Sequence, residues 1–172
     1  MSGCVAYISA GSNLGGREAT LLGALRVLGE ATDVRVDAVS AIYETDPVGG
    51  VEQPAYLNLA ARLGVGRSVS PEALLGEMQR IERAFGRCRE NEVRWGPRTL
   101  DLDLLLFGDV ECASETLALP HPRMWERAFV LIPLREVAEV GLLGKLDQLS
   151  RTDPSVRLFS VNTRGWGGAG ER

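Results

Sequence analysis

Arg94-Trp95-Gly96-Pro97-Arg98-Thr99-Leu100-Asp101-Leu102-Asp103-Leu104-Leu105-Leu106-Phe107-Gly108 is the stretch from which the fold and its chemistry can be read. Thr99 to Phe107 predicts a buried strand: apolar throughout, except for two acids spaced by two, with a glycine at its end. Side chains alternate along a strand, so Asp101 and Asp103 share one face, and Leu100, Leu102 and Leu104 fill the other. Same-face neighbours lie roughly 6.5–7 Å apart at Cα, close enough for both carboxylates to converge on a pair of hard cations. An Asp-x-Asp on a strand is often just a solvated face. Here the acids interrupt an apolar run, and burying two like charges costs several kcal/mol unless they are paired or metal-bound. Arg87, Arg89, Arg94 and Arg98 just upstream suit polyphosphate oxygens. Acids for magnesium beside arginines for phosphate point to an enzyme acting on a nucleoside triphosphate.

The 172 residues, 45% of them hydrophobic, fit one domain with a sizeable core, expected over residues 1–160 with a Gly-rich flexible tail over 161–172. A net charge of −4 argues against a nucleic-acid binder working through bulk electrostatics. Positive charge is nonetheless clustered from Arg80 to Arg98, and Lys145 is the single lysine. No run reaches the roughly 18 apolar residues of a membrane span, and the N-terminus does not read as a secretory signal. Cys4, Cys88 and Cys112 are odd in number and scattered, which suits a reducing cytoplasm rather than a disulfide framework or a zinc site. Cys88 lies between Arg87 and Arg89, a setting that favours its thiolate, although a passive loop thiol fits the same position.

Upstream, Val5–Ser9 predicts a first strand, and Leu21, Leu22, Leu25 and Leu28 give helical spacing from Arg17. Val34–Tyr43 reads as one strand, and Tyr56–Val65 as another with Leu57, Leu59, Ala61 and Leu63 on one face. Ser70-Pro71-Glu72 starts a helix, with a capping Ser, Pro at the first position and an acid at the positive end of the dipole; Gly86 ends it. Residues 117–140, punctured by Pro133, predict two short helices. Gly11-Ser12-Asn13-Leu14-Gly15-Gly16 is not a Walker loop, since Arg17-Glu18 stands where Lys-Ser/Thr is required. A strand-to-helix turn and a substrate contact both remain open for it. The alternation of strands and helices predicts an α+β domain.

Four blocks resemble the 6-hydroxymethyl-7,8-dihydropterin pyrophosphokinases, folate-pathway enzymes that move the β,γ-pyrophosphoryl group of ATP onto a pterin alcohol. The blocks are Ala10–Gly15; Tyr43–Gly49 continuing through Gln53–Asn58; Arg94–Phe107; and Pro120-His121-Pro122-Arg123-Met124 continuing through Glu126–Phe129. They spread over residues 5–134, and the third is the most specific. The resemblance implies a ferredoxin-like antiparallel sheet flanked by helices. It also implies two Mg2+ ions held with ATP by Asp101 and Asp103, and Arg89 and Arg98 as cations that act with them in catalysis. Arg87 and Arg94-Trp95 would lie on a loop, Gly86–Pro97, that is mobile until it closes over the site. Gln79 and Glu82, on the polar side of the second helix, with His121 and Arg127, match further ATP contacts. Tyr56 and Phe129 would sandwich the pterin, a stacking geometry that suits a flat heteroaromatic ring. Asn58, Thr45 and main-chain groups near Pro47 and Val48 would meet its amide-like edge.

Spacing alone would assign Tyr56 and Phe129 to core packing and a lone His121 to structure. The chain departs from the family pattern at Asp46, where a proline is common, and at Thr116 and Ala118, which touches ATP affinity. Residues after about 140 carry no motif. The expectation is a cytoplasmic monomer with ATP and hydroxymethyl dihydropterin as substrates and no nucleic-acid or membrane partner. Two alternatives stand beside it: another Asp-x-Asp nucleotide-using transferase, against which the Thr45–Asn58 block speaks, and a non-catalytic pterin- or nucleotide-binding homologue.

Overall fold

Antiparallel pairing of five chain segments around the first strand builds the scaffold. The computed structural model describes residues 3–47, 52–88, 90, 96–149, 152–161 and 166. Strand β1 (Cys4–Ser12) is central, with β5 (Asp101–Phe107) on one side and β4 (Tyr56–Val65) on the other. Beyond β4 lie β2 (Val34–Val39) and β3 (Ile42–Thr45), and β8 (Val156–Ser160) pairs with β3 at the far edge. All these pairings are antiparallel. With α1 (Arg17–Gly29) after β1 and α2 (Pro71–Ala84) after β4, the chain runs β-α-β-β-α-β, a ferredoxin-like order with the second strand broken in two. A small hairpin, β6 (Cys112–Ala113) and β7 (Ala118–Leu119), and two C-terminal helices, α3 (Ala128–Val137) and α4 (Val140–Leu146), complete it. Among the described residues no helix is long and apolar enough to cross a membrane.

Alternation sorts the sheet into two faces. Ala6, Ile8 and Ala10 of β1, Leu57, Leu59, Ala61 and Leu63 of β4, and Leu102 and Leu104 of β5 form one core with Leu21, Leu25 and Leu28 of α1 and Leu74, Met78 and Ile81 of α2. Tyr7, Ala60 and Leu105 face the other way, against Val130, Leu131, Leu134 and Val137 of α3. A bulge at Leu105, where Ile8 pairs Leu104 but Tyr7 pairs Leu106, shifts the alternation, so that Leu106 also packs on the α3 side. Helix α2 starts as its sequence predicts: Ser70 Oγ accepts the Ala73 N–H at 3.1 Å, and Gly86 beyond its end takes φ +88°.

Two sequence expectations are corrected here. The single strand Val34–Tyr43 is two strands, broken at Ser40-Ala41. Ser40 Oγ accepts the Ala60 N–H at 2.9 Å and donates to the Ala41 carbonyl at 2.7 Å, so a hydroxyl takes the place of a ladder carbonyl. Pro133 does not divide the next segment, because α3 runs through it, preceded by a 3₁₀ turn at Met124–Glu126. An interior proline costs about 3 kcal/mol. Burying Val130, Leu131, Leu134 and Val137 at about 1.5–3 kcal/mol each outweighs it.

Candidate active site

The register of the sheet assembles the floor of a cleft. Gly11 pairs Asp101 on one side and Asn58 on the other, and Asn58 pairs Tyr43. Directly paired residues project to the same face, so Asp101, Gly11, Asn58 and Tyr43 form one row across four strands. Tyr56, Thr45 and Val156 form the neighbouring row, and Ser9 lies beside Asp103. With strands about 4.8 Å apart, Asp101 and Asn58 are about 10 Å apart across Gly11. A Cβ at Gly11 would stand 3.2 Å from Asn58 Oδ1 and 3.8 Å from the Tyr56 ring. The glycine therefore keeps the space between the two ends of the row open.

The cleft encloses about 630 Å³. Thr45, Tyr56, Asn58, Arg98, Asp101, Asp103, Arg127 and Phe129, all singled out from sequence, line it together. Arg127 and Phe129 descend from the start of α3, with the guanidinium 5.7 Å from the Phe129 ring centroid. At the other end, Asn58 Nδ2 donates to Thr45 Oγ1 at 2.8 Å, and both residues are buried. That bond fixes the carboxamide, leaving Asn58 Oδ1 directed toward the Gly11 side. Tyr56 lies across the floor and donates its hydroxyl to the Gly96 carbonyl at 3.1 Å.

Charge at the phosphate-suited end is arranged in a chain. The buried Arg87 donates through Nη1 to Glu82 Oε1 at 2.6 Å and to Asp101 Oδ1 at 2.5 Å. Glu82 Oε1 also accepts the Leu102 N–H at 2.8 Å. Arg98 Nη1 donates to Asp101 Oδ2 at 3.1 Å, so arginines engage both oxygens of Asp101. Asp103 is left with weaker compensation, with Arg127 Nη1 at 3.7 Å. Burial first, then the charge on Asp101, pushes its carboxyl up to about 7, against the pull of Arg127 and Arg87. His121 is held below its usual value by burial and by Arg127, so its imidazole is neutral at pH 7. Its Nδ1 accepts the Arg123 N–H at 3.2 Å.

Gln79, Glu82, Arg87, His121 and Pro47 lie outside the cleft lining. The placement of Glu82 on a polar helix face is corrected: it is 1% exposed, turned into the protein, where Arg87 and the Leu102 amide satisfy it. Val48, Arg89, Arg94, Trp95 and half of the Gly86–Pro97 loop lie outside the described residues, as do most residues of the 161–172 tail. Of that tail, Trp166 packs against the α1/α2 core. Sequence reading assigned no role to Arg123, Glu126, Gln53, Asp153 or Ser155, which also line the cleft. Arg123, Glu126 and Gln53 belong to the family motif blocks, which is the signal that marks them. Asp153 and Ser155 precede β8 in a segment with no motif.

The two carboxylates fit a hard cation. They are adjacent on one face, and Asp103 is incompletely compensated. Among the described residues no cluster of three or more His, Cys, Asp or Glu side chains could hold a metal. A cation here would therefore take its remaining ligands from phosphate oxygens and water, the usual mode for Mg2+.

A family model described as 7,8-dihydro-6-hydroxymethylpterin-pyrophosphokinase (HPPK) matches residues 7–139. The chain is 50% identical over 135 residues to the 2-amino-4-hydroxy-6-hydroxymethyldihydropteridine pyrophosphokinase of Bacillus subtilis (strain 168), covering 78% of each chain. It is 40% identical over 153 residues to the protein of the same name from Methylorubrum extorquens, covering 87% of this chain and 94% of that one. Among solved structures, wild-type Plasmodium falciparum HPPK-DHPS with pterin and p-hydroxybenzoate matches with a TM-score of 0.56 over 78% of this chain. At 14% identity that likeness is one of fold, and this chain spans 39% of that longer one.

Proposed function

The chain belongs to the 7,8-dihydro-6-hydroxymethylpterin-pyrophosphokinase family, and from that premise we propose the reaction its cleft carries out. It transfers the pyrophosphoryl group of ATP to the hydroxymethyl group of 6-hydroxymethyl-7,8-dihydropterin, releases AMP, and serves folate biosynthesis. The observation that carries this reading is the sheet row Asp101–Gly11–Asn58. It sets a site for phosphate charge about 10 Å from a fixed carboxamide, with no side chain between them. A pterin against Asn58 would present its hydroxymethyl arm toward the triphosphate over Gly11.

In the transfer, the pterin hydroxyl oxygen bonds to the β-phosphorus as the bond from that phosphorus to the α,β-bridging oxygen breaks. The hydroxyl loses its proton and AMP departs. Charge spreads over the transferred phosphoryl oxygens, so positioned cations supply most of the stabilisation. Arg98 and Arg127 line the cleft and are suited to bind those oxygens, and Arg123 extends the same surface. Asp101 and Asp103 would hold Mg2+, two ions with ATP, which when bound supplies Lewis-acid stabilisation to the triphosphate. Arg87 and Arg98 occupy lone pairs of Asp101 that a cation would take. Loading the site would thus turn Arg98 toward phosphate, with Arg87 still anchored by Glu82. Arg89, Arg94 and Trp95 complete the ATP side of this proposal, together with Gln79 and the neutral His121. Tyr56 and Phe129 would hold the pterin by its faces, and Thr45, Asn58 and the main chain at Pro47 and Val48 by its edge. The proposal includes a monomer working in the cytoplasm, and the lining of the described cleft by residues of one chain supports the monomer.

Mass analysis of products from ATP, Mg2+ and the hydroxymethyl dihydropterin tests the reading. AMP and a pterin heavier by a diphosphate are expected. ADP, or nucleotide transferred to the pterin, would sink it.

A further inference from the structure

Asn13 follows β1 and precedes α1, is 1% exposed, and joins three segments far apart in sequence. Its Oδ1 accepts the Arg98 N–H at 2.7 Å, and its own N–H donates to the Arg98 carbonyl at 3.1 Å. Both sides of Arg98 are thereby pinned, which fixes the Cα from which the guanidinium reaches Asp101 Oδ2. The Asn13 Nδ2 donates to Gln53 Oε1 at 2.9 Å and to the Pro54 carbonyl at 3.1 Å, two residues before Tyr56 begins β4. An asparagine is the residue this junction requires. Its carboxamide carries an acceptor for one segment and two donors for the other, whereas ionised Asp has no donor, Ser has only one, and Ala has neither donor nor acceptor.

We propose that Asn13 is a positioning residue that couples the pterin end of the cleft to Arg98 at the phosphate end. The inference rests on the reading of the cleft given above. Asn13 itself does not line the cleft, so its effect travels through the backbones it holds. A pterin seated on Tyr56 would tighten the hold of residues 53–54 on Nδ2, and the same carboxamide holds Arg98 through Oδ1. Coupling of this kind is a free energy shared by two ligands, and each should raise the affinity of the other by the same factor.

The test uses the full chain with Mg2+ and α,β-methylene-ATP as the nucleotide probe and 6-hydroxymethylpterin as the second ligand, each titrated alone and with the other present. Steady-state AMP release with ATP and the dihydropterin runs alongside. In Asn13→Ala the mutual enhancement should collapse toward unity, with kcat down about tenfold or more, the scale expected when buried hydrogen-bonding groups lose their partner. Nucleotide affinity measured without pterin should stay within about twofold, because Asp101, Asp103 and Arg127, which face the same end of the cleft, make no bond to Asn13. Asn13→Asp keeps the acceptor for Arg98 but loses the donor to Pro54, so it should retain more of kcat than the alanine variant while raising the KM for pterin. If Asn13→Ala does not fold, Asn13→Asp and Gln53→Ala carry the comparison, and both must lower the enhancement. Wild-type enhancement and kcat in folded variants would overturn the proposal. So would an equal loss of nucleotide affinity without pterin, which marks a merely structural residue. Absence of AMP formation by the wild type would instead count against the reaction assigned to the cleft, while the binding enhancement would still be read.

Discussion

Replacing Asp103 by Asn separates the electrostatic cost of the site from its purpose. Without a cation, the Asp103 carboxyl is pushed from 3.8 up to about 7 by burial and by Asp101. A shift of about three units corresponds to at most ~4 kcal/mol at about 1.36 kcal/mol per unit. About a third of the side chain, 32%, remains in contact with solvent, and screening brings the cost down to about 1–2 kcal/mol. The folded-state value lies above the unfolded one, so the folded protein holds the extra proton between pH 3.8 and about 7. Stability from this group is therefore greatest below 3.8, falls as pH rises through the window, and is lowest above about 7. Asn carries no such cost. In EDTA at pH 8, Asp103→Asn should melt higher than wild type by about 2–8 °C, at roughly 2–4 °C per kcal/mol for a chain of this size. The gap should close as pH is lowered toward 4. With Mg2+ and ATP the order should reverse, since the variant lacks a ligand, and AMP release should fall on the order of a thousandfold. Differential scanning calorimetry across pH 4–8, with and without EDTA, reads the first part. A variant that melts lower than wild type at pH 8 in EDTA, or a gap that ignores pH, would refute the argument.

Tyr56→Ala and Phe129→Ala should each weaken pterin binding by about two- to tenfold, from about 0.5–1.5 kcal/mol per aromatic face. Calorimetry should show little change for ATP, and an equal loss for both ligands would make the rings core residues only. Gly11→Ala places a Cβ 3.2 Å from Asn58 Oδ1, so pterin affinity should drop while the melting temperature stays near wild type. Unchanged affinity would mean that Asn58 yields freely. Glu82→Ala leaves the guanidinium of Arg87 without its buried partner and the Leu102 amide unsatisfied, at a cost of about 3–5 kcal/mol. Urea unfolding should show that loss in the midpoint with an unchanged slope, and a loss below about 1 kcal/mol would show that solvent reaches Arg87.

Local periodicity carried those parts of the molecule that depend on neighbours in sequence. The period of two in β5 put both aspartates on one face, and Ser70-Pro71 marked the start of α2 with its cap. Register was not legible in the same way. That Gly11 lies between Asp101 and Asn58 depends on pairings across 90 and 47 residues, which no local pattern encodes. The strand β8 shows the same limit. Its Leu158 and Phe159 are exposed, so it has no clear inside-outside alternation to reveal it. Antiparallel pairing with β3 attaches it, and Arg157 adds to that by gripping Asp46 through two hydrogen bonds of 2.8 and 3.0 Å over 111 residues.

The position of Glu82 shows why a polar residue on a helix cannot be assigned to solvent by its chemistry alone. At the last turn of α2 it points inward because Arg87, five residues on, folds back beneath it and the Leu102 amide supplies a second donor. Burying this pair is costly unless every member is satisfied, and here each one is. The same arginine reaches Asp101, so the C-terminal end of α2 is tied to the carboxylate that faces the cleft. Under the proposed function, a cation arriving at Asp101 would compete with Arg87 for Oδ1, while Glu82 would retain the guanidinium on its other side. The buried pair would then let Asp101 change partners without leaving an arginine unpaired in the core, a functional reason for charge at a place where an apolar residue would pack more cheaply.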